Sequence, residues 1–163
     1  NLEWHLNEEI QELFLETLTQ AVSLVTVEFG LSREFKPVCD SLWTIIGEVG
    51  ANLDLHHHSP SHLSGVYYVR IPDDTNSILE FVDPRIQTQV TPWPLDAESY
   101  LGGKQGAKRT GLCLGNITMQ VTPLPGEFVF FPSWLQHRVL PNQSNAEDPR
   151  RVVLSFNITF ERT

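Results

Sequence analysis

The chain has 163 residues, 40% of them hydrophobic, which is enough for one domain with its own core and too few for two. Its 11 Lys and Arg stand against 20 Asp and Glu, a net charge of -9, with no basic stripe that would neutralise phosphates, so no nucleic-acid partner is expected. The longest apolar runs, such as Glu127 to Trp134, fall far short of the roughly 20 residues of a membrane span, so none is expected, and the cytoplasm is the expected compartment.

Asn7 can cap a helix whose first turn carries Glu8 and Glu9. Ile10, Leu13, Phe14, Leu18, Ala21, Val22 and Val25 then recur at helical spacing, predicting an amphipathic helix over 7–29 that covers a sheet. A turn region from Ser32 to Pro37 follows. Beyond it come short runs of β character: Leu42 to Val49, Leu63 to Ile71, Ile78 to Val82, Ile117 to Thr122, Glu127 to Phe131 and Arg151 to Phe160. Short strands separated by Pro, Gly, Asn and Asp, with no helices between them, argue against a parallel doubly wound sheet and for an antiparallel sandwich or barrel of the jelly-roll kind over 41–161. The polar, Gly- and Pro-containing stretch 88–116 is too long for an ordinary connection and reads as a lid or binding loop. Trp93, Tyr100, Lys104, Lys108 and Arg109 lie on it.

Cys39 and Cys113 lack CxxC or zinc-ribbon spacing and read as reduced thiols. Asn116, Asn142 and Asn157 each open an Asn-x-Ser/Thr triplet, read as chance because Asn157 lies inside a strand-like run.

Four of the six histidines fall within seven positions, His56, His57, His58 and His62, and His137 follows much later. On an extended strand residues two apart share a side, so His56 and His58 can face one interior point while His57 faces away. With His137 they would make one face of a metal site and leave other positions open. Asp54 shares the side of His56 and is an alternative third ligand. The histidine run by itself is equally explained as a polar loop.

Fourteen positions beyond His137, Arg151 begins a strand of clean alternation. Val152, Leu154, Phe156, Ile158 and Phe160 take one face, and Arg151, Val153, Ser155, Asn157 and Thr159 the other. Arg151 and Ser155 thus point the same way, a fork and a hydroxyl able to grip a carboxylate, and the Tyr68 phenol could join them. Asp83 and Arg85 read as a local turn ion pair, Phe131 and Trp134 as core.

These stretches, HxHxxSxLSGVYYV from His56, DPR at 83–85, PGxxxxFPSWLxH from Pro125 to His137, and RxxxSFN from Arg151, resemble a subgroup of small iron- and 2-oxoglutarate-dependent oxygenases. The resemblance runs in order from about Ser41 to Phe160. It implies a double-stranded β-helix that uses Fe(II), 2-oxoglutarate and O2 to oxidise a substrate, most simply by hydroxylation. His56, His58 and His137 would then be the metal ligands. Arg151, Ser155 and Tyr68 would hold the small-molecule co-substrate. The wider superfamily has a carboxylate where this chain has His58, so a centre of three histidines would be more positive. Two other functions stand beside this one: a cupin-like three-histidine dioxygenase that does not use 2-oxoglutarate, and a non-catalytic metal-binding β-sandwich.

Overall fold

The computed structural model describes residues 8–28, 30, 32, 34–75, 77–85 and 118–163. Helix α1 (Glu8–Glu28) precedes eight strands among these residues: β1 (Phe35–Gly47), β2 (Leu53–His56), β3 (Leu63–Arg70), β4 (Leu79–Val82), β5 (Thr118–Val121), β6 (Phe128–Pro132), β7 (His137–Val139) and β8 (Arg151–Arg162). They form two four-stranded antiparallel sheets, β1-β8-β3-β6 and β2-β7-β4-β5, the jelly-roll arrangement expected from the strand pattern. The stretch 88–116 lies outside the described residues, as do His5, Asn7, Cys113 and Asn116.

Strand β8 runs through the middle of the larger sheet, so both of its faces must be covered. Phe156, Ile158 and Phe160 turn outward and pack with Leu63 beneath α1, which contributes Leu18 and Val22 one helical turn apart and Phe14 and Val25 beside them. Burying a side chain as large as Phe156, wholly inaccessible here, contributes about 2–3 kcal/mol. Leu13, assigned to the same stripe by spacing, faces solvent instead. Between the sheets, Leu79 and Phe81 of β4 meet Phe131 of β6, while Tyr68, Ile71 and Val153 form a second interior cluster.

Three strands, β1, β2 and β7, differ most from expectation. β1 begins at Phe35, inside the predicted turn, and ends at Gly47; it pairs with β8 along its whole length, and as an edge strand it accommodates Pro37, whose missing N–H costs no ladder bond. Its register shifts between Cys39 and Ser41, leaving Asp40 as the extra residue of a bulge. β2 and β7 did not stand out as strands, because elements of four and three residues are too short to display alternation.

Among the described residues, no helix is long and apolar enough to cross a membrane. Cys39 is a free, half-buried thiol whose pKa is raised by burial and by Asp40 beside it.

Candidate metal centre

β2 and β7 pair antiparallel in the smaller sheet, and their register sets His56 opposite His137. The two rings lie 4.3 Å apart, centroid to centroid. His56 Nδ1 is 2.6 Å from the carbonyl of Asp54 and His137 Nδ1 is 2.9 Å from that of Leu135, in each case the carbonyl two residues earlier. A carbonyl only accepts, so both Nδ1 atoms carry the proton and both Nε2 lone pairs are free to ligate. Phe131 packs on His137 at 4.5 Å and fixes its plane.

His58 lies two residues beyond the end of β2, in the loop to β3, so strand parity is not what places it. Its backbone N–H donates to the carbonyl of Ser133 at 2.8 Å, in the turn between β6 and β7. This contact turns the ring inward, 5.0 Å from His56 and 5.1 Å from His137, against Trp43. One ring nitrogen from each of the three histidines falls within 4.8 Å of the others, a spacing at which one ion can be shared.

The surroundings keep His137 and His58 neutral. Burial pushes His137 down to about 4, with His56 and His58 adding to the effect against the opposing bond to Leu135. His58 is lowered by burial and then by His56 and His57. Neutral imidazoles are the form a metal takes. Asp54 is exposed and offers the group its backbone carbonyl, while its carboxylate lies outside the cluster.

The histidines open onto a cavity of about 160 Å³ between the sheets. This is smaller than the roughly 300–1,000 Å³ of sites for drug-sized ligands, and suits a compact one. Arg151, Ser155 and Tyr68 line the same cavity, as the alternation of β8 and the β3 phenol suggested. Arg151 is 5% exposed, and none of the ion pairs among the described residues includes it. Its only side-chain hydrogen bond among the described residues is a long one, 3.5 Å to Ser77 Oγ. Burial lowers its pKa, with Tyr68 acting in the opposite sense, and burial raises that of Tyr68, which therefore remains a phenol. A buried cation without an anionic partner among the described residues is costly, and a negatively charged group in the cavity would offset that cost.

Several wall residues escaped the sequence reading. Trp43 and Ile45 alternate along β1, a period-two signal that could have placed them on the cavity side. Gly47 matters by what it lacks: a Cβ there would lie 3.2 Å from Arg151 Nη2. Ser77, in an irregular segment, had no signal. Trp134 is a correction, being 60% exposed at the β6–β7 turn, whereas Phe131 is core as expected. Asp83 and Arg85 form the local turn ion pair. His57 is exposed, and His62 accepts a bond from the Phe160 N–H, so neither joins the cluster.

Comparison with known proteins bears on this geometry. The model of a family described as "Putative 2OG-Fe(II) oxygenase" matches residues 41–157. Among solved structures, a Pseudomonas putida prolyl-4-hydroxylase is 19% identical with a TM-score of 0.50, over 92% of this chain and 65% of that one, and shows the shared fold. The non-heme alpha ketoglutarate dependent epimerase SnoN from nogalamycin biosynthesis is 16% identical with a TM-score of 0.47, over 76% of this chain and 49% of that one. This chain thus spans less than two thirds of either. No curated protein matches it.

Proposed function

The chain belongs to the 2OG-Fe(II) oxygenase family, and on that footing we propose that it is a 2-oxoglutarate-dependent dioxygenase holding iron through His56, His58 and His137. In this reading it couples the oxidative decarboxylation of 2-oxoglutarate to oxidation of a second substrate, most simply its hydroxylation. The observation that carries the proposal is the buried Arg151, free of any carboxylate partner among the described residues, on the wall of the cavity that the three histidines enter.

The donor set fits the metal: three neutral nitrogens suit Fe(II), and two of them are already oriented by carbonyls behind the ring. When bound, iron would supply the redox chemistry and the open positions for co-substrate and oxygen. The chain supplies placement. Arg151 would take the distal carboxylate of 2-oxoglutarate with its fork, the Ser155 hydroxyl beside it would donate a further bond, and the Tyr68 phenol would complete the grip. Ile45, Leu53, Val66, Leu79, Val139 and Val153 make the rest of the wall apolar and exclude water from the reacting groups.

Three histidines would equally suit an iron dioxygenase that does not use 2-oxoglutarate, but Arg151 and Ser155 would then have no task. Succinate formation separates the two. Iron-loaded protein given 2-oxoglutarate and oxygen is expected to form succinate above the metal-free blank, and Arg151→Ala and His137→Ala are expected not to. An iron-loaded wild type that forms none would favour the alternative.

A further inference from the structure

The side chains of three motif residues have no part in the site described above: Ser64 of LSG, Ser133 of FPSW and Asn157 of SFN. All three meet in the fold. Ser64 and Ser133, 1% and 0% exposed, lie with their hydroxyl oxygens 2.7 Å apart, and Ser64 Oγ is also 2.7 Å from Asn157 Oδ1. Because Asn157 Oδ1 only accepts, Ser64 gives its proton to Asn157 and Ser133 gives its own to Ser64. Asn157 Nδ2 passes the sequence on to Ser41 Oγ at 2.9 Å, and Ser41 donates to Asp40 Oδ1 at 3.0 Å. The other oxygen of Asp40 accepts from Ser61 at 3.1 Å.

The two ends of this chain of bonds return to one loop. Ser133 accepts from the His58 N–H through its carbonyl and donates its own N–H to the carbonyl of His62, and Ser61, held by Asp40, donates its N–H to the carbonyl of His58. The loop between β2 and β3 is therefore fastened at His58, at Ser61 and at His62. His56 and His137 are set by other bonds, those to Asp54 and Leu135, and by their ladder register.

We propose that Ser133, Ser64 and Asn157 are positioning residues that lock the loop bearing His58, so that this one histidine is presented to the metal. The inference rests on the reading of His58 as a ligand. Its physical content is that a loop residue lacks the strand pairing that orients His56, and a polar chain buried at Ser64 and Ser133 supplies the missing constraint.

Cobalt(II) titration of the metal-free chain tests it, with affinity and the visible absorption of the bound ion as readouts. Asn157→Ala is expected to weaken Co(II) binding by about 10- to 100-fold and to shift the absorption toward that of His58→Ala. Introduced into His58→Ala, the same substitution is expected to change affinity by less than about twofold, because the residue it acts through is gone. Equal losses in both backgrounds, or no loss in the wild-type background, would overturn the proposal. Ser133→Ala, which removes one hydroxyl and keeps the backbone contacts, carries the same expectation and decides the matter if Asn157→Ala does not fold by circular dichroism. A wild type that binds no Co(II) would bring down the metal centre itself, whereas binding without coupling to His58 would remove only the positioning role.

Discussion

His56 and His137 are direct partners across the β2–β7 ladder, and each turns its Nδ1 onto the carbonyl two residues before it. The repetition of one local geometry on two strands 81 positions apart in sequence leaves two Nε2 lone pairs converging from one sheet, with His58 closing the group from a loop. Replacing either member of the pair by Ala is expected to lower Fe(II) affinity at least about 100-fold, beyond the loss caused by removing a supporting partner. Anaerobic metal titration measures it, and retained affinity in either variant would contradict the assignment.

Arg151 should behave oppositely in stability and in binding. Its guanidinium is buried without an ion pair among the described residues, so Arg151→Met removes a desolvated charge while filling much the same space. The metal-free variant is expected to be about 1–2 kcal/mol more stable, a rise of a few degrees in melting temperature, while losing 2-oxoglutarate binding. A clearly lower melting temperature would show that Arg151 is held by interactions within the fold.

Gly65 tests the packing beneath α1. A Cβ at this position would lie 2.4 Å from Cζ of Phe156, which is wholly buried and has no room to retreat. Gly65→Ala is expected to cost about 2–3 kcal/mol in chemical denaturation. A cost below about 0.5 kcal/mol would mean that the helix yields easily.

Acid should weaken the metal-free fold through His137. Its pKa is about 4 in the folded chain against an unfolded value near 6.5, so between these pH values the unfolded chain binds the extra proton. Stability is therefore fully present above about pH 7 and falls as pH drops toward 4, by up to about 3 kcal/mol. His58, shifted the same way, adds to the fall. Asp74 and Asp148, whose pKa values are lowered by their hydrogen bonds, contribute their losses at lower pH. Denaturation curves between pH 7 and 4 should be flatter for His137→Gln than for wild type; equal slopes would contradict the assignment.

The parts of this molecule that were legible in its sequence are those where one physical demand repeats. β8 has one face under a helix and the other on a cavity, so its alternation runs unbroken and separates Arg151, Val153 and Ser155 from Ile158, with Phe156 packed under the helix and also reaching the cavity wall. His56 and His137 were visible because imidazoles at such positions have few structural uses. The placement of His58 was not, since it depends on a hydrogen bond to Ser133, 75 positions away, rather than on the period of a strand. Ser64 and Asn157 stand in separate motifs, and only the fold brings them to each other across 93 positions. Trp134 looked like core because its neighbours are, yet the turn that directs Phe131 inward directs Trp134 out.

The most direct test of the account is an anaerobic calorimetric titration of 2-oxoglutarate into iron-loaded protein, repeated with metal-free protein and with iron-loaded Arg151→Ala. Binding that requires iron and disappears in the variant is the predicted result. Iron binding without any 2-oxoglutarate binding would contradict it, and would leave the three histidines serving a different chemistry.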